Sequence, residues 1–129
     1  MSERSKQVLP SYRWVTVAIH HIWYALYRYS FGIVFTAAHQ SYADVVLDHI
    51  DPTRELFQYR LYRDSCTMIE PGVYVKDLGI IKNRKLENMV IVDNSLHSFG
   101  FHLDNGVPIV PFYDNQDDEE LNHLKAYLT

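Results

Sequence analysis

The sequence predicts an α/β domain in which helices flank a parallel sheet that carries a small antiparallel insertion. Two apolar runs, Phe31–Phe35 and Met89–Val92, lack the alternation of a half-exposed strand and suit strands buried on both faces of a parallel sheet. Between them, Glu70-Pro71-Gly72 separates two shorter strand-like runs, as a type II turn does in a hairpin. Because sites form at the carboxyl ends of parallel strands, we expect Thr36 and Asp93 to lie at one edge of the sheet.

The composition is that of a single globular domain with a packed core. The chain has 129 residues, of which 47% are hydrophobic and 14% aromatic. Its net charge is -4, with acidic residues concentrated in Asp114–Glu120, so we expect no nucleic-acid partner. The single cysteine, Cys66, cannot form an internal disulfide, which favours a reducing compartment, the nucleus or the cytoplasm.

The amino-terminal part contains a polar segment followed by a long apolar one. We expect residues 1–13 to be a flexible lead-in to a domain over residues 14–129. The apolar stretch Trp14–Ala38 contains two histidines and an arginine, which a bilayer tolerates poorly, so no membrane segment is predicted. Within it, Val15–Ile19 fits either an amphipathic helix or a short strand, and the sequence leaves both open.

The region between the two buried runs is predicted to contain a helix and three short strands. The helix spans Ser41–Ile50, because apolar residues recur there at helical spacing and Pro52 follows. Its predicted buried face consists of Tyr42, Val45, Val46 and Ile50. The alternating segment Phe57–Tyr62 is expected to join Cys66–Ile69 and Val73–Val75 in the antiparallel insertion.

The carboxyl-terminal part is predicted to contain an edge strand and a last helix. The run Val107–Val110 contains one proline and precedes another, which restricts it to a sheet edge. The acidic run Asp117–Glu120 suits the first turn of a helix, because negative charge there complements the helix dipole. The buried face of that helix is predicted to consist of Leu121, Leu124 and Leu128.

Three positions at the ends of these elements have side chains suited to chemistry. Each position has an ordinary explanation. Thr36 could cap the next helix, Lys76 could be a solvated edge residue, and the Asp93-Asn94 pair could form an Asx turn. Together, in this order, they match a phosphoryl-transfer site. In such a site a hydroxyl binds a phosphate oxygen, an ammonium neutralises the transferring group, and the Asp-Asn pair holds Mg²⁺ and orients the lysine.

The same segments carry a resemblance to a known family. The chain resembles the small CTD phosphatases, the NLI-interacting-factor-like branch of the haloacid dehalogenase superfamily, from about Gly32 to Leu128. The resemblance implies a HAD-like, Rossmann-like sheet with a three-stranded insertion. The motifs that carry it are Val34-Phe35-Thr36-Ala37-Ala38, Ser41-Tyr42-Ala43-Asp44, Arg60-Leu61-Tyr62-Arg63-Asp64-Ser65-Cys66, Tyr74-Val75-Lys76-Asp77-Leu78 and Ile91-Val92-Asp93-Asn94-Ser95.

The resemblance also implies an activity and a role for each site residue. Its members are Mg²⁺-dependent protein serine/threonine phosphatases that form an aspartyl-phosphate. By motif, Thr36 would bind phosphate and Lys76 would stabilise its charge. Asn94 would be a direct Mg²⁺ ligand, with Asp93 beside it in the metal site. Arg63 would face the substrate, a phosphoserine or phosphothreonine peptide or protein partner.

One family motif has no counterpart in this sequence. The family carries Asp-x-Asp-x-Thr/Val at the end of its first strand, but residues 1–35 contain no aspartate, and Asp48-x-x-Asp51 has the wrong spacing. The first catalytic strand is therefore missing or degenerate. Either Val15–Ile19 occupies its position without carboxylates, or the chain is a truncated product. In both cases the nucleophile and main metal ligands lack candidates, so we expect no tight Mg²⁺ binding.

Three functions follow from these observations. The first is a catalytically inactive member, a pseudophosphatase, that retains peptide or partner binding. The second is an active phosphatase completed by upstream sequence or by another subunit. The third is a presequence-receptor domain of the mitochondrial inner-membrane translocase, which lacks the support of an arginine-rich transit segment.

Histidine and cysteine chemistry gives weaker alternatives. His97 and His102 have no third zinc ligand nearby in the sequence and are expected to be a surface pair. Cys66 lies on a predicted strand, so a packed thiol is expected there and not a nucleophile.

Overall fold

The structure, a computed structural model, describes residues 32–128. The predicted lead-in over residues 1–13 and the segment Val15–Ile19, with the question of the first catalytic strand, lie outside the described residues. The chain divides into two compact units. One comprises Met1–Ile33, Asp44–Tyr59 and Phe112–Thr129, and the other comprises Val34–Ala43 and Arg60–Pro111.

The described residues form a mixed α/β structure of short elements. Two helices and six strands lie between residues 32 and 128, and the strands pair as β1-β2, β3-β4 and β5-β6. No helix in this range is long and apolar enough to cross a membrane. In chain order the elements are β1 (Ile33–Phe35), α1 (Gln40–Ile50), β2 (Tyr59–Leu61), β3 (Thr67–Glu70), β4 (Val73–Val75), β5 (Ile91–Asp93), β6 (Gly106–Pro108) and α2 (Glu120–Leu128).

Both buried runs of the sequence become strands, but shorter and less enclosed ones than predicted. All three residues of β1 are half-buried, whereas Ile91 and Asp93 of β5 are buried. Over the described residues β1 pairs only with β2, and β5 pairs in parallel only with β6. The prediction that each run is buried on both faces is therefore wrong for both. Strand β1 is half-buried throughout. In the second run, Val90 is 58% exposed and Val92 half-buried, so buried and more exposed residues alternate as on a strand with one covered face.

Strand β2 belongs to β1 and not to the antiparallel insertion. The Gln58 N–H donates to the Gly32 carbonyl at 3.1 Å, and the Thr36 N–H donates to the Leu61 carbonyl at 2.9 Å. These bonds advance in the same direction along both segments, as they do in a parallel pair. The alternation of Phe57–Tyr62 predicted a strand correctly, but alternation carries no information about which strand pairs with it.

The predicted hairpin is present as β3 and β4. The two strands are antiparallel, with Thr67 opposite Val75 and Glu70 opposite Val73. Gly72 has a φ of 80°, the conformation that the third residue of a type II turn requires and that glycine adopts without steric cost. The turn sequence therefore predicted both the hairpin and its turn type.

The helices form close to where they were predicted, but α1 buries only part of the predicted face. Ile50 is buried and Val46 half-buried, as predicted, whereas Tyr42 and Val45 are 65% and 72% exposed. Ala43 and Leu47 are buried in their place. Both sets recur at helical spacing, so periodicity alone does not separate them.

Helix α2 begins at Glu120, later than the start of the predicted acidic run. The carboxylate of Asp118 accepts a hydrogen bond from the Glu120 N–H at 2.9 Å, so an acidic residue does hold the first turn. Leu124 is buried, with Leu121 and Leu128 half-buried on the same face, as the sequence predicted.

The core of the second unit is small and lies beside β5. Leu78, Ile91 and Phe99 form a buried cluster, with Ile81 and Met89 packed against it. Strand β6 approaches this cluster closely, because a Cβ atom built on Gly106 would overlap the Phe99 ring. Glycine at this position is therefore a packing requirement.

We expect Gly106→Ala to lower the free energy of unfolding by roughly 1–3 kcal/mol, because the added methyl group displaces a well-packed ring. Urea denaturation followed by circular dichroism measures the change. Combining Gly106→Ala with Phe99→Leu removes the overlap, so the double variant should lose less stability than the sum of the two single changes. Additive losses would contradict this packing explanation.

Candidate active site

The second unit contains a pocket that gathers most of the predicted site residues. The pocket has a volume of about 320 Å³ and is lined by Thr36, Lys76, Asp93 and Asn94. They lie at the carboxyl ends of β1, β4 and β5, so three separate strand ends supply them. Thr36 and Asp93 therefore line one pocket, while β1 and β5 belong to separate two-stranded sheets among the described residues. That the two residues share one sheet edge stays a prediction. The remaining lining comes from Ala37, Ala38, Gly72, Val73, Tyr74, Ser95, His97 and Ser98.

Lys76 and Asp93 form a buried ion pair at this pocket. Their side chains are each 9% exposed, and the Lys76 ammonium donates to Oδ2 of Asp93. The other carboxylate oxygen of Asp93 accepts from the Ser95 N–H at 2.8 Å. The backbone N–H of Lys76 donates to the Ser98 carbonyl at 2.8 Å, which holds the lysine against the loop after β5. Lys76 is thus a buried cation with a fixed orientation, and the solvated edge residue of the ordinary explanation is excluded.

Thr36 stabilises the turn in which it lies. Its hydroxyl oxygen accepts from the Ala38 N–H at 3.0 Å, a local hydrogen bond that ties the start of the turn to its third residue. Helix α1 begins four residues further on, where the His39 carbonyl accepts from the N–H groups of Tyr42 and Ala43. Thr36 therefore caps its own turn and leaves its hydroxyl proton available to a ligand in the pocket.

The described residues do not fit a Mg²⁺ centre by themselves. Both carboxylate oxygens of Asp93 already accept hydrogen bonds, and Asn94 is exposed at the pocket with one amide oxygen to offer. Mg²⁺ requires about six oxygen ligands in octahedral geometry. Between residues 32 and 128, no group of three or more His, Cys, Asp or Glu side chains is arranged to hold a metal ion.

Arg63 does not line the pocket. Its Nε donates to the Ala37 carbonyl at 2.6 Å, and its Nη1 lies 2.9 Å from Nε2 of His39. The guanidinium carbon lies 4.9 Å from the centre of the Tyr74 ring, within cation–π range. Two of its contacts, Ala37 and Tyr74, line the pocket. That Arg63 faces the substrate stays a prediction.

Cys66 lies beside the same turn as a packed thiol. Its Sγ donates weakly to the Thr36 carbonyl at 3.7 Å and to the Tyr62 carbonyl at 3.8 Å. Burial raises the pKa of the Cys66 thiol, and the positive charges of Lys76 and Arg63 only partly oppose this. A raised pKa reduces the thiolate fraction at neutral pH, which agrees with a structural role and not with nucleophilic catalysis.

The two histidines of the weak zinc alternative have separate surroundings. His97 lines the pocket, whereas Nε2 of His102 lies 2.8 Å from Oδ1 of Asp77. The same Asp77 oxygen accepts from the Gly79 N–H at 2.8 Å. The hydrogen bond from His102, followed by that from Gly79, holds the pKa of Asp77 below its usual value. The sequence did not indicate that His97 faces the pocket, because nothing in its spacing relates it to Thr36 or Lys76.

One family model covers most of this chain. The family model for NLI interacting factor-like phosphatases matches residues 17–129. The chain belongs to this family. The resemblance inferred from the motifs is therefore confirmed, and the α/β structure described above is consistent with a HAD-like domain.

Several relatives of this NLI interacting factor-like domain are phosphatases by name. It is 46% identical over 96 residues to CTD small phosphatase-like protein 2 of Dictyostelium discoideum, covering 74% of this chain and 16% of the relative. It is 44% identical over 95 residues to the human carboxy-terminal domain RNA polymerase II polypeptide A small phosphatase 1, covering 74% of this chain and 35% of that protein. It is also 34% identical over 96 residues to nuclear envelope morphology protein 1 of Schizosaccharomyces pombe. That match covers 74% of this chain and 20% of the relative.

The NLI interacting factor-like domain spans only a part of each of these relatives, between 16% and 35% of their lengths. The family is generally Mg²⁺-dependent, and its members act on phosphorylated proteins. The relatives give no support to the mitochondrial presequence-receptor alternative.

Proposed function

We propose that this chain binds a phosphoserine or phosphothreonine peptide, or a protein that carries one, at the Thr36–Lys76 pocket without turning it over. The observation that carries the proposal is the buried Lys76 ammonium at the pocket. An ammonium has more than one N–H donor, and the Asp93 carboxylate takes one of them. The remaining donors and the Thr36 hydroxyl suit the oxygens of a phosphate group.

The absence of turnover follows from the carboxylates available to the pocket. Among residues 32–128, Asp93 is the only carboxylate that lines it, and both of its oxygens are hydrogen-bonded. An aspartyl-phosphate mechanism needs a carboxylate that is free to attack phosphorus. Residues 1–35 contain no aspartate, so the Asp-x-Asp motif of the family has no candidate in this chain. An active phosphatase completed by upstream sequence or by another subunit is the second candidate, favoured by the family.

We expect Lys76→Ala to weaken the binding of a fluorescein-labelled phosphoserine peptide by at least about tenfold in fluorescence anisotropy, because a charge-assisted hydrogen bond to phosphate is lost. Lys85→Ala is the matched control, since that side chain is 79% exposed and lies outside the pocket lining. It should change affinity less than about twofold. Because Lys76→Ala leaves Asp93 unpaired, Thr36→Val provides a second variant that keeps the ion pair and should also weaken binding. Equal affinity of wild type and both pocket variants would contradict the proposal.

We further propose that this chain does not bind Mg²⁺ tightly, because Asn94 supplies the one uncommitted oxygen of the Asp93-Asn94 pair. Titration calorimetry should give no saturable heat up to millimolar Mg²⁺. Saturable binding that Asn94→Ala abolishes would mean that carboxylates outside residues 32–128 or from another copy complete the site.

We propose a nuclear or cytoplasmic location. Two relatives are named for the nuclear envelope, nuclear envelope morphology protein 1 and CTD nuclear envelope phosphatase 1. The single cysteine agrees with a reducing compartment. Fluorescence of a tagged chain in cells checks this, and a mitochondrial signal would contradict it.

A further inference from the structure

The turn Thr36–His39 forms one wall of the pocket and is held mainly from outside itself. Thr36, Ala37 and Ala38 line the pocket. Within the turn, the Ala38 N–H donates to the Thr36 hydroxyl. From outside the turn, the Leu61 carbonyl at the end of β2 accepts from the Thr36 N–H at 2.9 Å, and further bonds come from the segment that follows β2. The position of the Thr36 hydroxyl therefore depends on that segment.

Arg63 supplies most of these external contacts. Its backbone N–H donates to the Ala38 carbonyl at 3.0 Å, and its Nε donates to the Ala37 carbonyl at 2.6 Å. Its Nη1 bonds to His39, and its guanidinium packs over Tyr74, which lines the pocket from the hairpin. One side chain thus connects two separate parts of the pocket wall.

The contact with His39 has a defined donor. Arginine has N–H donors and no acceptor, so in this contact the Arg63 guanidinium donates and Nε2 of His39 accepts. The planar guanidinium reaches Ala37 and His39 at the same time through nitrogens in a fixed geometry. We call this pair of donors, Nε to Ala37 and Nη1 to His39, the fork. A lysine ammonium has the same charge but cannot reproduce the fork.

We infer that Arg63 is a positioning residue that holds the Thr36–His39 turn in the shape that accepts phosphate. It acts through Ala37, Ala38 and His39, and it does not contact the phosphate itself. The inference rests on the proposed function, because it takes the pocket to bind a phosphorylated ligand. It assigns to Arg63 a structural route to binding in place of direct contact with the substrate.

The first test uses the ligand-free 129-residue chain and the amide hydrogen exchange of Ala38, measured by NMR. Arg63→Ala and Arg63→Lys should both speed this exchange by about threefold or more, because both break the fork that orders the turn. Arg84→Ala is the matched control, since Arg84 lies in the exposed loop before β5, and it should leave the exchange unchanged. Unchanged exchange in Arg63→Ala would overturn the inference.

The second test measures binding of the same phosphoserine peptide. Arg63→Ala and Arg63→Lys should both bind about tenfold more weakly, and His39→Ala about threefold more weakly, although His39 does not line the pocket. His39→Gln retains an acceptor and should bind as the wild type does. The double variant of Arg63→Ala with His39→Ala should be no weaker than Arg63→Ala alone, because both changes remove the same support.

The outcomes separate the two proposals. Wild-type affinity in Arg63→Lys would mean that the charge of residue 63, and not its fork, is what binding requires, and would overturn the positioning role. If the wild-type chain does not bind the peptide at all, the proposed function fails. The exchange of the Ala38 amide still decides whether Arg63 orders the turn in that case.

Discussion

No release of inorganic phosphate above background is expected when this 129-residue chain is incubated with a phosphoserine peptide, with or without Mg²⁺. The carboxylate nucleophile is the covalent centre of the family mechanism, and neither Lys76 nor Thr36 can replace it. Loss of a nucleophile typically lowers kcat on the order of 10⁶-fold, which places any residual rate below detection. The measurement is a phosphate-release assay at saturating peptide, with the human small phosphatase 1 as the positive control.

One result would reverse this conclusion. Mg²⁺-dependent release that Lys76→Ala abolishes would mean that the chain is active and that a residue outside the described range, or another copy, supplies the nucleophile. Activity found only in a longer protein with an in-frame Asp-x-Asp-x-Thr upstream would assign the catalytic role to the completed domain. The binding predictions for the Lys76 pocket hold in both cases.

Asp51→Ala should lower the free energy of unfolding by about 3 kcal/mol or more, because its buried carboxylate satisfies several backbone N–H groups of the turn that follows α1. The side chain is 1% exposed. Oδ1 accepts from the N–H groups of Glu55 and Leu56 at 3.1 and 3.2 Å, and Oδ2 accepts from those of Leu56 and Phe57 at 3.2 and 3.1 Å. Urea denaturation measures the loss.

The neighbouring aspartate provides the control for Asp51. Asp48 is 51% exposed and pairs with Arg54, so Asp48→Ala should cost less than about 1 kcal/mol. Asp51→Asn retains one acceptor oxygen and should fall between Asp51→Ala and the wild type. Equal losses in Asp48→Ala and Asp51→Ala would show that the backbone bonds to Asp51 do not stabilise this turn.

Asp51 also illustrates what sequence spacing leaves out. The spacing of Asp48-x-x-Asp51 excludes the pair as the catalytic motif and indicates no other role for it. Its structural role depends on a turn that brings the N–H groups of residues 55–57 to a single carboxylate. No local pattern encodes that convergence, because the partners become neighbours only after the chain reverses direction.

The sequence by itself determined the family, most element types and four of the residues that line the pocket, Thr36, Lys76, Asp93 and Asn94. Short motifs at strand ends were enough for these predictions. An apolar run followed by a polar residue can be recognised within a few consecutive residues, without knowledge of the tertiary structure. The hairpin and its type II turn followed in the same way, since Pro71 followed by Gly72 favours the positive φ that Gly72 adopts. The lack of an aspartate in residues 1–35 is likewise a property of the sequence alone.

Only the tertiary structure decided how these residues are held. In the structure β2 pairs with β1. Ala43 and Leu47 are buried, and Tyr42 and Val45 are exposed. Arg63 contacts the turn after β1. Each of these depends on contacts between segments distant along the chain. Periodicity and composition carry no information about such partners, because a strand or an amphipathic helix presents the same local pattern to any neighbour that can cover it.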